Sequence, residues 1–275
     1  MAPATATHTL QVDGYPLAFV ETGAGAPPLL LVHGSLCDCR YWAPQMAPLG
    51  AGRRVLAPSL RHYWPEAWDG SGGDFTPARH ADDLAVFVRA LRTGPVHLLG
   101  HSRGGAVACL TALRRPELVR SLILAEPGLT PDEGDCSAAI DIDRAGFRKR
   151  ALEHIRQDDT DAGLALFVDT VSGAGTWSRM LPALRQMMRD NAATLIGQAV
   201  EAAVCLNRHQ AASLRMPVLL LGGAQSPQPY PAVLETLAQW LPRVQRVTVS
   251  NASHALNLWN PAGFNRAVED FLGEH

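Results

Sequence analysis

The stretch Gly100-His101-Ser102-Arg103-Gly104 constrains this chain more than any other. It follows the apolar run Val96-His97-Leu98-Leu99 and opens into Gly105-Ala106-Val107-Ala108-Cys109-Leu110. That context predicts a strand, a sharp turn and a helix, with a serine at the apex. The G-x-S-x-G spacing serves the turn. The serine sits on a strained backbone, and the flanking glycines let strand and helix approach with no Cβ between them. The helix N-terminus beyond then aims backbone N–H groups at any anion formed beside the serine. Ser102 is therefore the candidate nucleophile.

The rest of the chain is consistent with one α/β unit. At 275 residues, 47% of them hydrophobic and 18% charged, it has enough apolar material for a large core and too little charge for disorder. A formal net charge of -2 argues against a nucleic-acid partner, and the basic run 144–150 reads as a solvated helix face. No apolar run approaches a membrane span, so no membrane partner is expected. The start, Met1 to Thr9, lacks a basic segment followed by an apolar one. The five cysteines, Cys37, Cys39, Cys109, Cys136 and Cys205, show neither disulfide-framework nor zinc spacing. A reducing, cytoplasmic location follows as the expectation.

Strand-like and helix-like segments alternate, which predicts a mostly parallel central sheet flanked by helices. Leu10–Val12 and Leu17–Glu21 read as a hairpin across Asp13-Gly14. Further strands are expected at Pro28–His33, Arg54–Ala57, Val96–Gly100, Leu122–Glu126, Val218–Gly222 and Val244–Val249. Thr76-Pro77 and Asn260-Pro261 start helices that reach Leu91 and about Leu272-Gly273. Between Glu126 and Met216 the alternation stops. Residues 131–215 read as a helical cap with no strand, inserted into a core of residues 1–130 and 216–275. Trp177, Met180, Leu181, Leu184, Met187 and Met188 form an apolar stripe there. Most of it is expected to pack cap on core, with Trp177 and Met180 as candidates to line a pocket.

A serine hydroxyl needs a base, and histidine fits that task near neutral pH. Of ten histidines, His254 stands just after the last strand, in Ser250-Asn251-Ala252-Ser253-His254-Ala255. His101 is expected to point away from the turn, His33 and His97 to be structural, and His62, His80, His154, His209 and His275 to lie on loops or the surface. An oxyanion beside Ser102 needs two main-chain donors. One is the amide of Arg103. The other comes from the loop His33-Gly34-Ser35-Leu36, with Ser35 preferred and Leu36 second. Gly34 and Leu36 are expected beside the substrate. No metal-ligand spacing is present, and neither a metal nor an organic cofactor is required.

Together, the strand–His-Gly loop, the elbow, the helical insertion and the late histidine resemble the cap-bearing α/β-hydrolase superfamily, from Leu17 to Leu272. The resemblance implies an α/β-hydrolase fold and a serine hydrolase acting on a small, mainly apolar ester or lactone through an acyl-enzyme. Carbon–carbon hydrolysis, acyl transfer, perhydrolysis and non-catalytic small-molecule reception are the alternatives within the same fold. Two departures stand out. The loop after Val218–Gly222 reads Gly223-Ala224-Gln225-Ser226-Pro227-Gln228, with no acid where most relatives carry one. The loop Ser59-Leu60-Arg61-His62-Tyr63-Trp64-Pro65 is also atypical; Trp64 either covers the sheet end or reaches the pocket mouth. The remedy for the missing acid is Glu126, which ends Ile123-Leu124-Ala125-Glu126 on the same rim as Ser102. Zearalenone-type lactone hydrolases are similar in this placement. The alternative for Glu126 is a structural pairing before Pro127, in which case Asp132, Glu133 and Asp135 are the next carboxylates.

Overall fold

The computed structural model describes residues 7–132 and 146–275. Its centre is an eight-stranded sheet. The strands are β1 (Thr7–Val12), β2 (Tyr15–Thr22), β3 (Leu29–Val32), β4 (Val55–Pro58), β5 (Val96–His101), β6 (Val119–Ala125), β9 (Val218–Gly223) and β10 (Val244–Val249), with β7 (Leu129–Asp132) and β8 (Val204–Asn207) set apart. The spatial order is β1-β2-β4-β3-β5-β6-β9-β10. The pairs β1–β2 and β2–β4 are antiparallel and every later neighbour is parallel. Asp13 and Gly14, at φ 48° and 80°, make the β1–β2 turn in the left-handed conformation that suits a two-residue hairpin.

The apolar runs of the sequence become strands because both sheet faces are covered. Along β3, Leu30 and Val32 join a core with Leu84, Phe87 and Val88 of the helix Pro77–Leu91 and Ala106 and Val107 of the helix Arg103–Arg114. Leu29 and Leu31 point the other way, into a second core with Met46 and Leu49 of the helix Ala43–Gly50 and Phe264, Val268 and Phe271 of the helix Pro261–Gly273. The period-two alternation thus divides one sheet between two cores.

The inserted region is where expectation and structure differ most. It contains the helices Phe147–Arg156, Thr160–Ser172, Thr176–Arg179, Pro182–Asp190 and Thr194–Gln198, and also a strand pair. Strands β7 and β8 run parallel, Leu129 opposite Val204 and Asp132 opposite Asn207. Pro131 argues against a strand by its missing N–H, but in a two-strand ribbon each strand has a free edge, where proline is tolerated. The pairing closes the insertion at its base, so β7 straddles the boundary expected at 130/131. Lys149 and Arg150 are exposed on the helix that follows, while 144 and 145, with Glu133, Asp135 and Cys136, lie outside the described residues. Cys37, Cys39 and Cys109 are free thiols, but Cys205 is disulfide-bonded, so the cysteines are not uniformly reduced. Among the described residues no helix is long and apolar enough to cross a membrane.

Candidate active site

Strand β5 ends at His101, and Ser102 turns the chain at φ 53° and ψ -125° before the helix begins at Arg103. A non-glycine residue at positive φ carries backbone strain. The turn is held by the Ser102 carbonyl, which accepts from the N–H groups of Gly105 (2.8 Å) and Gly128 (2.7 Å). The two flanking glycines are sterically required. A Cβ on Gly100 would stand 2.3 Å from the Gly104 carbonyl oxygen, and one on Gly104 would stand 2.2 Å from that of His33.

Ser102 Oγ lies 3.0 Å from His254 Nε2, and His254 Nδ1 lies 2.8 Å from Glu126 Oε2. Glu126 is 1% exposed. Its amide extends the strand by donating to the Leu221 carbonyl (3.0 Å), and φ 43° then swings the side chain across the top of the sheet. Its other oxygen, Oε1, accepts from the Gly223 N–H at 2.7 Å. A buried carboxylate persists only with such partners. The loop after β9 therefore contributes a main-chain donor where an acidic side chain was missing. Gln225 faces solvent, and the Ser226 hydroxyl is buried without a partner among the described residues. Asp132 ends β7.

Two aromatic rings flank His254. Tyr230 stacks on it at 3.9 Å between centroids and 16° between planes, and His101 lies at 4.8 Å and 41°. Burial, followed by the negative charge of Glu126, holds the Tyr230 phenol above its ordinary range, so it stays neutral. Contrary to expectation, His101 does not point away. Its Nε2 donates to the His254 carbonyl at 2.8 Å, and the ring lines the cavity in front of Ser102. Burial first, then the neighbouring His254, pushes its pKa well down, so the ring is neutral; its Nδ1 is left as a buried acceptor with no partner. His80 is also not a surface residue: it is fully buried on its helix and receives a hydrogen bond at Nδ1 from Arg103 Nη1 (3.0 Å).

Arg103 occupies the first helical position, where the amide has no partner within the helix. Its guanidinium, 5% exposed, pairs with Glu201 at 2.8 Å and ties the elbow to the segment leading into β8. Ser35 and Gly34, on the loop after β3, line the cavity beside Ser102. A Cβ on Gly34 would stand 3.0 Å from the Ser102 Cβ.

The other expected binding residues divide. Met180 lines the cavity, and so do Leu181, Leu184, Met187 and Met188, so most of the stripe faces the cavity instead of packing cap on core. The exception is Trp177, which is 8% exposed, packs in the second core and has the guanidinium of Arg189 5.7 Å from its ring. Leu36, at φ 60°, turns its side chain fully into the same core and is not a lining residue. Trp64 does not reach the cavity either. Its amide donates to Asn191 Oδ1 (2.8 Å), and Arg40 covers its ring at 4.0 Å. Tyr230, Glu201 and Phe167 carry no local signal in the sequence; only the fold brings them to Ser102.

With this geometry established, similarity to known proteins can be placed beside it. A sequence profile of the α/β hydrolase fold family matches residues 27–261. The chain is 27% identical to a mouse sn-1-specific diacylglycerol lipase, covering 94% of this chain and 85% of that protein. It superposes on a carboxylesterase from Bacillus subtilis with a TM-score of 0.81 at 20% identity, covering 100% of this chain and 93% of the other. It also superposes on the enol-lactonase from Burkholderia xenovorans with a TM-score of 0.78 at 22% identity, covering 97% and 100%. Structural likeness at those identities speaks to the fold alone.

Proposed function

Because this chain belongs to the α/β-hydrolase fold family, whose profile spans residues 27–261, we propose that it is a serine hydrolase that cleaves a carboxylic ester or lactone through an acyl-enzyme. The observation that carries this reading is the continuous chain of contacts Ser102 Oγ–His254 Nε2–Glu126 Oε2, at 3.0 and 2.8 Å. In the proposed mechanism, Glu126 accepts the Nδ1 proton and leaves Nε2 free to act as base. Ser102 Oγ attacks the carbonyl carbon as its proton passes to Nε2. The amides of Ser35 and Arg103 hold the resulting oxyanion. Nε2 returns the proton to the leaving oxygen, and the alcohol departs. Water then attacks the acyl-enzyme with the same histidine as base, releasing the acid and restoring Ser102. Relatives named as a lipase, a carboxylesterase and an enol-lactonase support the reaction class.

The test is covalent labelling with a fluorophosphonate. Wild type is expected to label, Ser102→Ala to stay unlabelled while folded, and its turnover to fall to background. Absence of labelling in wild type would favour a binding protein over an enzyme.

A further inference from the structure

Two cavities meet at Ser102 and Ser35, and they differ in size and in access to the base. The wider one, about 280 Å³, is lined by His254 and His101 together with Val168, Met180, Leu184 and Leu258. The narrower one, about 50 Å³, is lined by Arg103, Gly128, Thr130, Phe147 and Tyr230. Among the described residues, His254 lines only the wider cavity.

Resting on the serine-hydrolase reading above, this asymmetry fixes how an ester must lie. The leaving oxygen takes its proton from His254 Nε2 and so must be within hydrogen-bond reach of it. The alcohol attached to that oxygen then extends into the cavity that His254 lines. The oxyanion faces the Ser35 and Arg103 amides. The remaining substituent of the tetrahedral carbon, the acyl chain, is directed away from both, into the narrower cavity. A space of about 50 Å³ is less than two liquid-water volumes of about 30 Å³ each, which suits the carbon chain of an acetyl or propionyl group. The wider cavity approaches the lower end of ordinary ligand pockets, about 300 Å³, and its methionine wall adapts to varied apolar shapes. We propose that the substrate is an ester of a short acyl group with a bulky apolar alcohol.

Two isomeric esters test the orientation directly. Hexyl acetate and methyl heptanoate share a formula and a bond type but place the long chain on opposite sides of the carbonyl. Acid release by the wild-type protein, followed by pH-stat, is expected to give hexyl acetate a kcat/KM at least about tenfold higher, since one ill-fitting methylene is worth about 10- to 200-fold. Leu184→Trp, which narrows the wider cavity, is expected to lower the ratio of hexyl acetate to methyl acetate turnover. Equal rates, or a preference for methyl heptanoate, would overturn the short-acyl assignment while leaving the serine-hydrolase reading intact. So would no turnover of either isomer in protein that labels at Ser102. No labelling at Ser102 would remove the parent reading and this one together.

Discussion

Replacing Glu126 by glutamine tests the candidate site most sharply, because the structure dictates how the amide must sit. The carboxylate accepts from the Gly223 N–H at 2.7 Å through Oε1 and faces His254 Nδ1 at 2.8 Å through Oε2. In Glu126→Gln, the amide oxygen must keep the Gly223 position, since an NH2 there would oppose another donor. The NH2 group is then turned toward Nδ1, which must accept. The imidazole proton moves to Nε2, the nitrogen facing Ser102 Oγ at 3.0 Å, and the base no longer has a lone pair for the serine proton. The charge that would stabilise the imidazolium is lost as well. At an effective dielectric near 20, a unit pair at 2.8 Å is worth about 6 kcal/mol. A wrong-tautomer substitution of this kind lowers kcat by about 10³- to 10⁴-fold, or about 4–5.5 kcal/mol at about 1.36 kcal/mol per decade, within that bound. The assay is kcat and KM for hexyl acetate, with circular dichroism confirming the fold. KM is expected to change far less than kcat. A folded variant whose kcat stays within tenfold of wild type would refute the assignment of Glu126 as the group that orients His254.

Three further outcomes are expected. Tyr230→Leu removes the ring stacked 3.9 Å from His254 and should lower kcat by a factor of about 2–30, the equivalent of about 0.5–2 kcal/mol of cation–π stabilisation, while Tyr230→Phe retains it; equal losses in the two variants would count against the stacking argument. Glu201→Ala leaves the buried Arg103 guanidinium uncompensated and should cost about 3–5 kcal/mol in urea unfolding, so a loss below about 1 kcal/mol would contradict the buried ion pair. His33 is fully buried, with its pKa lowered by burial from 6.5 to about 4, and its Nε2 accepts from the Leu60 N–H. Its neutral form is therefore favoured in the folded state. That stability is complete above pH 6.5 and is lost as the pH falls toward about 4, by up to about 3 kcal/mol. His33→Gln should flatten part of the urea-midpoint decline across that window, and an unchanged slope would show that other groups carry it.

The sequence alone was sufficient for features whose physical cause is local or periodic. The strands Leu29–Val32 and Val218–Gly223 were legible as continuous apolar runs, because a strand buried on both faces has no polar alternation to obscure it. The elbow was legible because only glycine fits at 100 and 104, and the proline-initiated helices because Thr76 and Asn260 cap them. Ser102, His254 and Glu126 could be nominated from their places at strand ends. What the sequence could not supply was any relation between residues far apart in the chain. Strand β8 was missed because four half-exposed residues become a strand only through β7, with Leu129 and Val204 brought side by side. Trp177 and Trp64 look like pocket residues by size, but packing turned one into the core and placed the other under Arg40. Tyr230 sits in the loop region that lacks an acid, and nothing in its neighbours announces a ring that stacks on a histidine 24 residues later in the chain; the approach exists because β9 and β10 lie side by side and bring both loops to the same rim. Local sequence sets backbone conformation and polarity, whereas the distances that define a site are set by which elements share a face of the folded sheet.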